Sequence, residues 1–246
     1  MSPTREAADL PEGSWPAMHD LARWIGTWFF VPMFRLRLHR LANVPPTGPV
    51  VLVANHSAFV DGPLLFGMFH RRTVFLIKRE MFRGAVGWAL RRIGQLGIRR
   101  GEPDRAPMLT AQRVLRGGGL IAVFPEGTRG TGEAESARNG AAWLARSTGA
   151  VVVPVVCRGT RRPEGLGRRF RPRVDVLVGE PFAVSGERGR AGLATATEQV
   201  RVALVALIAE LDELRGSAGD LTGGGGSGVG GVMRKHESDP ERRDEQ

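Results

Sequence analysis

Residues 49–63 read PVVLVANHSAFVDGP. From Pro49 to Ala54 the stretch is short, uncharged and rich in β-branched valine, the pattern of a strand buried on both faces. Asn55 and His56 interrupt the apolar run. Ser57 is a good helix N-cap, and Phe59, Leu64 and Leu65 open an apolar helical face. Strand-like runs recur at TVFLI (73–77), LIAVF (120–124), AVVVPVV (150–156) and RVDVLV (173–178). Helical patterns lie between them, near 60–70, 80–92, 104–116 and 139–148. This alternation predicts an α/β domain with a central sheet, mostly parallel or mixed, flanked by helices.

Ligands bind such sheets beyond the carboxyl ends of the strands, so the residues that follow each strand come first. After Ala54 come His56 and Asp61. Histidine is the natural general base near neutral pH, and a carboxylate on its second ring nitrogen fixes the tautomer. On one regular helix, positions five apart point about 140° away from each other. The pair therefore meets only if His56 sits on the turn and Asp61 in the first turns of the helix. The alternative is a surface histidine and a helix aspartate that never touch.

After the 120–124 run comes FPEGTRG, Phe124 to Gly130. Pro125 ends the strand, Gly127 permits a tight turn, and Thr128 and Arg129 offer hydroxyl, backbone N–H and guanidinium donors suited to a phosphate. Glu126 is placed to orient that arginine or to accept from a substrate hydroxyl. An ordinary polar turn is the plainer reading. In GQLGIRRGEPD (94–104), Arg99 and Arg100 would add to an anion pocket if they lie near Arg129, and otherwise form a solvated basic turn. Pro154 inside a strand-like run marks an edge or a bulge, since proline cannot donate to a ladder. Cys157 reads as a small core residue, because no histidine stands near it in sequence.

Outside the core, residues 1–14 read as a polar extension with no signal peptide. Residues 15–42 read as a helical segment at a membrane interface. Trp15, Trp24, Trp28, Phe29, Phe30 and Phe34 stand there among Arg23, Arg35, Arg37 and Arg40, aromatic rings for headgroup depth and cations for anionic phosphates. Pro32 and the short apolar run exclude a spanning helix, which needs about 20 apolar residues. The folded domain covers 43–215 and ends in an amphipathic helix over 190–215, with Gly216 as its stop. The Gly-rich tail 216–246 has nothing to bury and reads as disordered.

Of 246 residues, 42% are hydrophobic, enough for a sizeable core, and the single cysteine excludes an internal disulfide framework. The formal net charge is +10, and Lys78 and Lys235 are the only lysines among 35 basic residues. The tail is net acidic, so the excess belongs to the folded part, and it favours anionic partners. A nucleic-acid-binding module is a remote alternative. The chain has no helix-turn-helix, zinc pattern or aromatic-interleaved basic platform for one.

In order, these motifs resemble the glycerolipid acyltransferase family typified by 1-acyl-sn-glycerol-3-phosphate acyltransferase. Its His-x4-Asp block is matched by His56 and Asp61, and its Phe-Pro-Glu-Gly-Thr-Arg block is complete from Phe124 to Arg129. A segment ending in a basic residue is matched by Gly97 to Arg100, and a Val-Pro-Val strand by Val153 to Val155. Lys78 and Glu80 fit a Lys-x-Glu element. The family often has a lysine about nine residues past the third-block arginine, where this chain has Arg138.

The resemblance covers residues 40–180 and implies transfer of a fatty acyl group from acyl-CoA or acyl-carrier protein to the free hydroxyl of 1-acyl-sn-glycerol-3-phosphate, forming phosphatidic acid. It implies His56 and Asp61 as the catalytic pair. Arg100, Glu126, Gly127, Thr128 and Arg129 would bind the acceptor, with Asn55, Lys78, Arg99 and Pro154 as secondary candidates. It implies no metal and no cofactor besides the thioester co-substrate. The partners would be a phosphorylated lysolipid and an anionic membrane surface rather than nucleic acid, with the protein peripheral on the cytoplasmic face of the cell membrane. Another lysophospholipid, a glycolipid precursor or a polyol remains open as acceptor.

Overall fold

The computed structural model describes residues 9–99, 104–125, 139–161, 170–187 and 189–223. Its centre is β2 (Val50–Ala54), every residue of which is buried. Around it lie β1 (Arg35–His39), β3 (Thr73–Lys78), β4 (Leu96–Ile98), β5 (Leu120–Val123), β6 (Val151–Arg158) and β7 (Arg173–Val178). Among the described residues they form one sheet in the order β1-β7-β6-β2-β5-β3-β4. All neighbours are parallel except β6 and β7. From β2 the chain crosses to β3 and β4, returns to β5 and then crosses to β6. The reversal of direction lies beside β2.

Period-two alternation splits the valines of the strands between two cores. Val51, Val53, Ile121, Val123, Val152 and Val156 face α4 (Arg105–Arg116), α5 (Gly140–Thr148) and α6 (Arg190–Gly223). Val50, Leu52, Ala54, Leu120, Ala122, Val153 and Val155 face α2 (Asp61–Met68) and the N-terminal segment. Each valine, leucine or isoleucine so buried stabilises by about 1.5–3 kcal/mol, which is why β2 reads as a continuous apolar run.

Four expectations change. The helical segment 15–42 is helical only in part: α1 (Pro16–Ile25) continues through a π turn and a 3-10 turn to Met33. Residues 35–39 form β1 instead, because Arg-Leu-Arg-Leu-His alternates with period two and pairs with β7. β4 was also not anticipated, and three residues give too short a pattern to read. Residues 9–14 are not a free extension, since Leu10 is buried in the core and Asp9 pairs with Arg72. Finally, Gly216 does not stop α6, which runs to Gly223. Without a left-handed residue at 216 the helix continues, and the Ser217 hydroxyl donates to the Glu213 carbonyl one turn back. The rest of the expected tail lies outside the described residues.

By length and composition, Arg190–Ser217 is the one helix among the described residues able to cross a membrane. Here Ala196, Val200, Leu204, Leu207 and Leu211 are buried in the core. Ion pairs of Asp212 with Arg158 and of Arg215 with Asp175, 2.7 and 2.8 Å, tie the same helix to β6 and β7.

Pro154 lies in an interior strand, not at an edge, and the partner chain bulges to accommodate it. Val155 pairs with Val178 and Val152 with Phe182, so Gly179, Glu180 and Pro181 stand opposite only two residues. Across the bulge the Gly179 N–H donates to the Pro154 carbonyl at 2.9 Å, so Pro154 takes part as an acceptor. Gly179 is required there, because a Cβ would come within 2.8 Å of the Pro154 ring.

Candidate active site

His56 and Asp61 meet at the C-terminal end of β2. The His56 Nδ1 lies 3.2 Å from Asp61 Oδ2. The same oxygen accepts the backbone N–H groups of Ser57 and Ala58, each at 2.8 Å. Asp61 is fully buried and His56 nearly so. Ser57 is not the N-cap. α2 starts at Asp61, and residues 57–60 form a turn closed by the Asp61 N–H on the Ala58 carbonyl. That turn swings the carboxylate back onto the histidine, the arrangement a regular helix forbids. An ionised carboxylate only accepts, so Nδ1 carries the proton and Nε2 keeps a lone pair. His56 is thereby set up as a proton acceptor, its tautomer held by Asp61.

The ring of Phe124 stacks on His56, centroids 4.1 Å apart and planes 22° apart, and Phe75 stacks behind it at 5.8 Å. The cause is register. Val53 pairs with Val123, so the residues leaving β2 and β5 emerge side by side. The start of FPEGTRG is thus brought to the histidine. Glu126, Gly127, Thr128, Arg129 and Arg100 lie outside the described residues.

His56 and Phe124 are among the residues that line an apolar cleft of about 360 Å³. Its walls come from α2 (Phe66), β3 (Phe75, Ile77) and α3 (Gly84–Arg92; Val86, Leu90). Lys78 stands at its rim, half exposed, with Nζ 3.5 Å from Glu80. The Arg99 backbone N–H donates to Asp104 at 3.0 Å. Asn55 is fully buried beside the site. Pro154 is a core residue and does not line the cleft.

Phe75, Phe124 and the α3 wall were not anticipated as parts of the site. Only Phe124 had a signal, its place at the head of a quoted motif. Cys157 is buried, and burial pushes its thiol well above the ordinary range, so it is no thiolate nucleophile. Among the described residues no three His, Cys, Asp or Glu side chains converge as a metal site.

The family model described as Acyltransferase matches residues 35–158, from the first residue of β1 to the last of β6. The chain belongs to the acyltransferase family. It is 30% identical over 172 residues to a chloroplastic 1-acyl-sn-glycerol-3-phosphate acyltransferase of Arabidopsis thaliana, covering 67% of this chain and 48% of that one. It is 26% identical over 186 residues to the 1-acyl-sn-glycerol-3-phosphate acyltransferase of Bacillus subtilis, covering 73% and 91%. The match thus spans about half of the plant relative and most of the bacterial one. The crystal structure of the 1-acyl-sn-glycerophosphate acyltransferase from Thermotoga maritima superposes with a TM-score of 0.54 at 24% identity, covering 80% of this chain and 78% of that one. The expected family and fold are borne out.

Proposed function

We propose that the chain transfers a fatty acyl group from acyl-CoA or acyl-carrier protein to the free hydroxyl of 1-acyl-sn-glycerol-3-phosphate, forming phosphatidic acid. One observation carries the reading: a histidine held by a buried carboxylate lines an apolar cleft. The pair supplies a base, and the cleft suits an alkyl chain. In this reading His56 Nε2 takes the acceptor hydroxyl proton while that oxygen attacks the thioester carbonyl. The C–S bond of the tetrahedral intermediate then breaks, and the imidazolium returns its proton to the leaving thiolate. Asp61 keeps its negative charge and stabilises the imidazolium. No enzyme nucleophile takes part, so no acyl-enzyme forms.

Arg100 and Arg129, with Glu126, Gly127 and Thr128 shaping the loop, hold the acceptor phosphate in this proposal. Lys78 and Arg99 are secondary sources of positive charge in the same proposal. The protein works as a peripheral enzyme on the cytoplasmic face of the membrane. Support comes from Trp15, Trp24, Trp28 and Phe29 on the N-terminal helical segment and from Trp88 and Val86 on α3, large apolar side chains about half exposed. Arg92 lies over the Trp15 ring at 4.5 Å, an aromatic–cation pair suited to a headgroup layer.

The test is turnover by purified protein with radiolabelled acyl-CoA and, separately, acyl-carrier protein, against acceptors with and without phosphate, read by product mass. Phosphatidic acid from the lysophosphatidate supports the reading. Activity on every acceptor except that one refutes the proposed substrate.

A further inference from the structure

We propose that Asn55 is a positioning residue for His56, clamping the catalytic turn to β6 through its carboxamide, with Ser57 forming a second clamp on the other side. The inference rests on His56 being the base. The β2–β6 ladder ends where the Asn55 N–H meets the Val155 carbonyl at 3.4 Å. Beyond that point the backbone must leave the sheet to form the turn that carries His56. The Asn55 side chain then does what a further peptide unit would have done. Its Nδ2 donates to the Cys157 carbonyl at 3.1 Å, and its Oδ1 accepts the Cys157 N–H at 2.8 Å. Donor and acceptor of one residue are matched by donor and acceptor of another, 102 positions away and fully buried.

One residue past the histidine, the Ser57 hydroxyl lies 3.2 Å from the Thr160 hydroxyl, which follows the same strand. His56 is therefore flanked on both sides by bridges to the β6 end. Its ring is fixed in turn by Asp61 and by Phe124. Asparagine suits the first bridge because a single planar group carries both a donor and an acceptor at the reach of one methylene. Aspartate keeps the acceptor and loses the donor. Glutamine is one methylene too long for the same seat.

The imidazole must present Nε2 to the acceptor hydroxyl, so a loosened turn costs turnover before it costs substrate binding. The experiment uses the full chain with acyl-CoA and lysophosphatidate, comparing Asn55→Asp, Ser57→Ala, Cys157→Ala and His56→Ala. In folded Asn55→Asp, kcat is expected to fall about ten- to a hundredfold with both KM values within about twofold. The acid limb of its pH–rate profile should shift as well, because the histidine loses its fixed seat against Asp61. Cys157→Ala keeps the backbone partner and should match the wild type.

Should Asn55→Asp not fold, Ser57→Ala decides, with a smaller fall in kcat and a shifted acid limb expected. Wild-type kcat and acid limb in folded Asn55→Asp, or in Ser57→Ala where the former does not fold, overturn the proposal. A His56→Ala variant that stays active instead refutes the functional reading on which it rests.

Discussion

Phe124 lies face to face with the imidazole of His56, 4.1 Å between centroids. The contact joins the end of β5 to the end of β2 and fixes the plane of the ring that Asp61 holds at one nitrogen. Phe124→Leu keeps apolar bulk and removes the stack, which costs about 1 kcal/mol of stability. The expected outcome is a lower kcat at nearly unchanged KM, measured by initial rates beside a thermal melt. A wild-type kcat would show that the stack is packing alone.

The proposed catalytic pair, His56 and Asp61, gives the sharpest prediction. His56→Ala should lower kcat/KM by roughly 10²–10⁴ or more, with the fold intact by circular dichroism. Asp61→Asn leaves the Ser57 and Ala58 N–H groups an acceptor oxygen but removes the charge that stabilises the imidazolium. Its kcat should fall by a comparable factor. Near-normal turnover in either variant would remove the mechanism.

His19 links α1 to the cleft wall: its ring packs on Phe66 at 4.9 Å, and its Nδ1 donates to the Ile93 carbonyl at 2.7 Å. Burial holds its pKa below the ordinary value of 6.5, against the raising effects of the Ile93 hydrogen bond and Asp20. As pH falls through 6.5 the unfolded chain takes up the proton first, so stability present above that pH is lost below it. The Tm should therefore drop between about pH 7 and pH 5, and His19→Phe should flatten the drop. Equal slopes in both proteins would put the acid sensitivity elsewhere. Asp20, held low chiefly by its hydrogen bond from Arg72, acts in a more acidic window, below its ordinary 3.8.

Asp175 is buried on β7 between Arg173 at 3.0 Å and Arg215 at 2.8 Å. Removing the carboxylate leaves two guanidinium groups facing each other. Asp175→Ala should cost about 3 kcal/mol, read from urea unfolding. Activity per folded molecule should be unchanged, since the site lies at the other side of β6.

The cleft and the apolar rim give one prediction each. Ile77→Trp fills the cleft from β3, and should shift the acyl products toward shorter chains in a mixed-donor assay. Trp24→Glu combined with Trp28→Glu should abolish sedimentation with anionic vesicles while leaving the melt unchanged, because both rings are more than half exposed. Unaltered sedimentation would move the membrane contact to another face.

Much of the fold was legible because its strands are short β-branched runs buried on both faces. Thr73–Lys78 and Arg173–Val178 were read almost to the residue. β1 was not, since arginines alternating with leucines beside an aromatic helix look like the end of that helix until β7 is there to pair with them. Pro154 was legible only as an edge or a bulge, and pairing decided between them: it stands in an interior strand opposite the bulge that begins at Gly179. Ser57 has the chemistry of an N-cap, but the helix starts at Asp61.

What the sequence by itself determined is local: which segments are strands or helices, and that a histidine leaves a buried strand five residues before an aspartate. Side-chain periodicity and backbone preference act over a few residues and need no partner. What the tertiary structure decided is which strand ends lie together. The pairing of β2 with β5 and β6 puts Phe124 on the His56 ring and the Cys157 peptide against Asn55, and the packing of α2 and α3 on β3 opens the cleft beside them. Those contacts join residues tens of positions apart and depend on both faces of the sheet being covered at once. No local pattern encodes them.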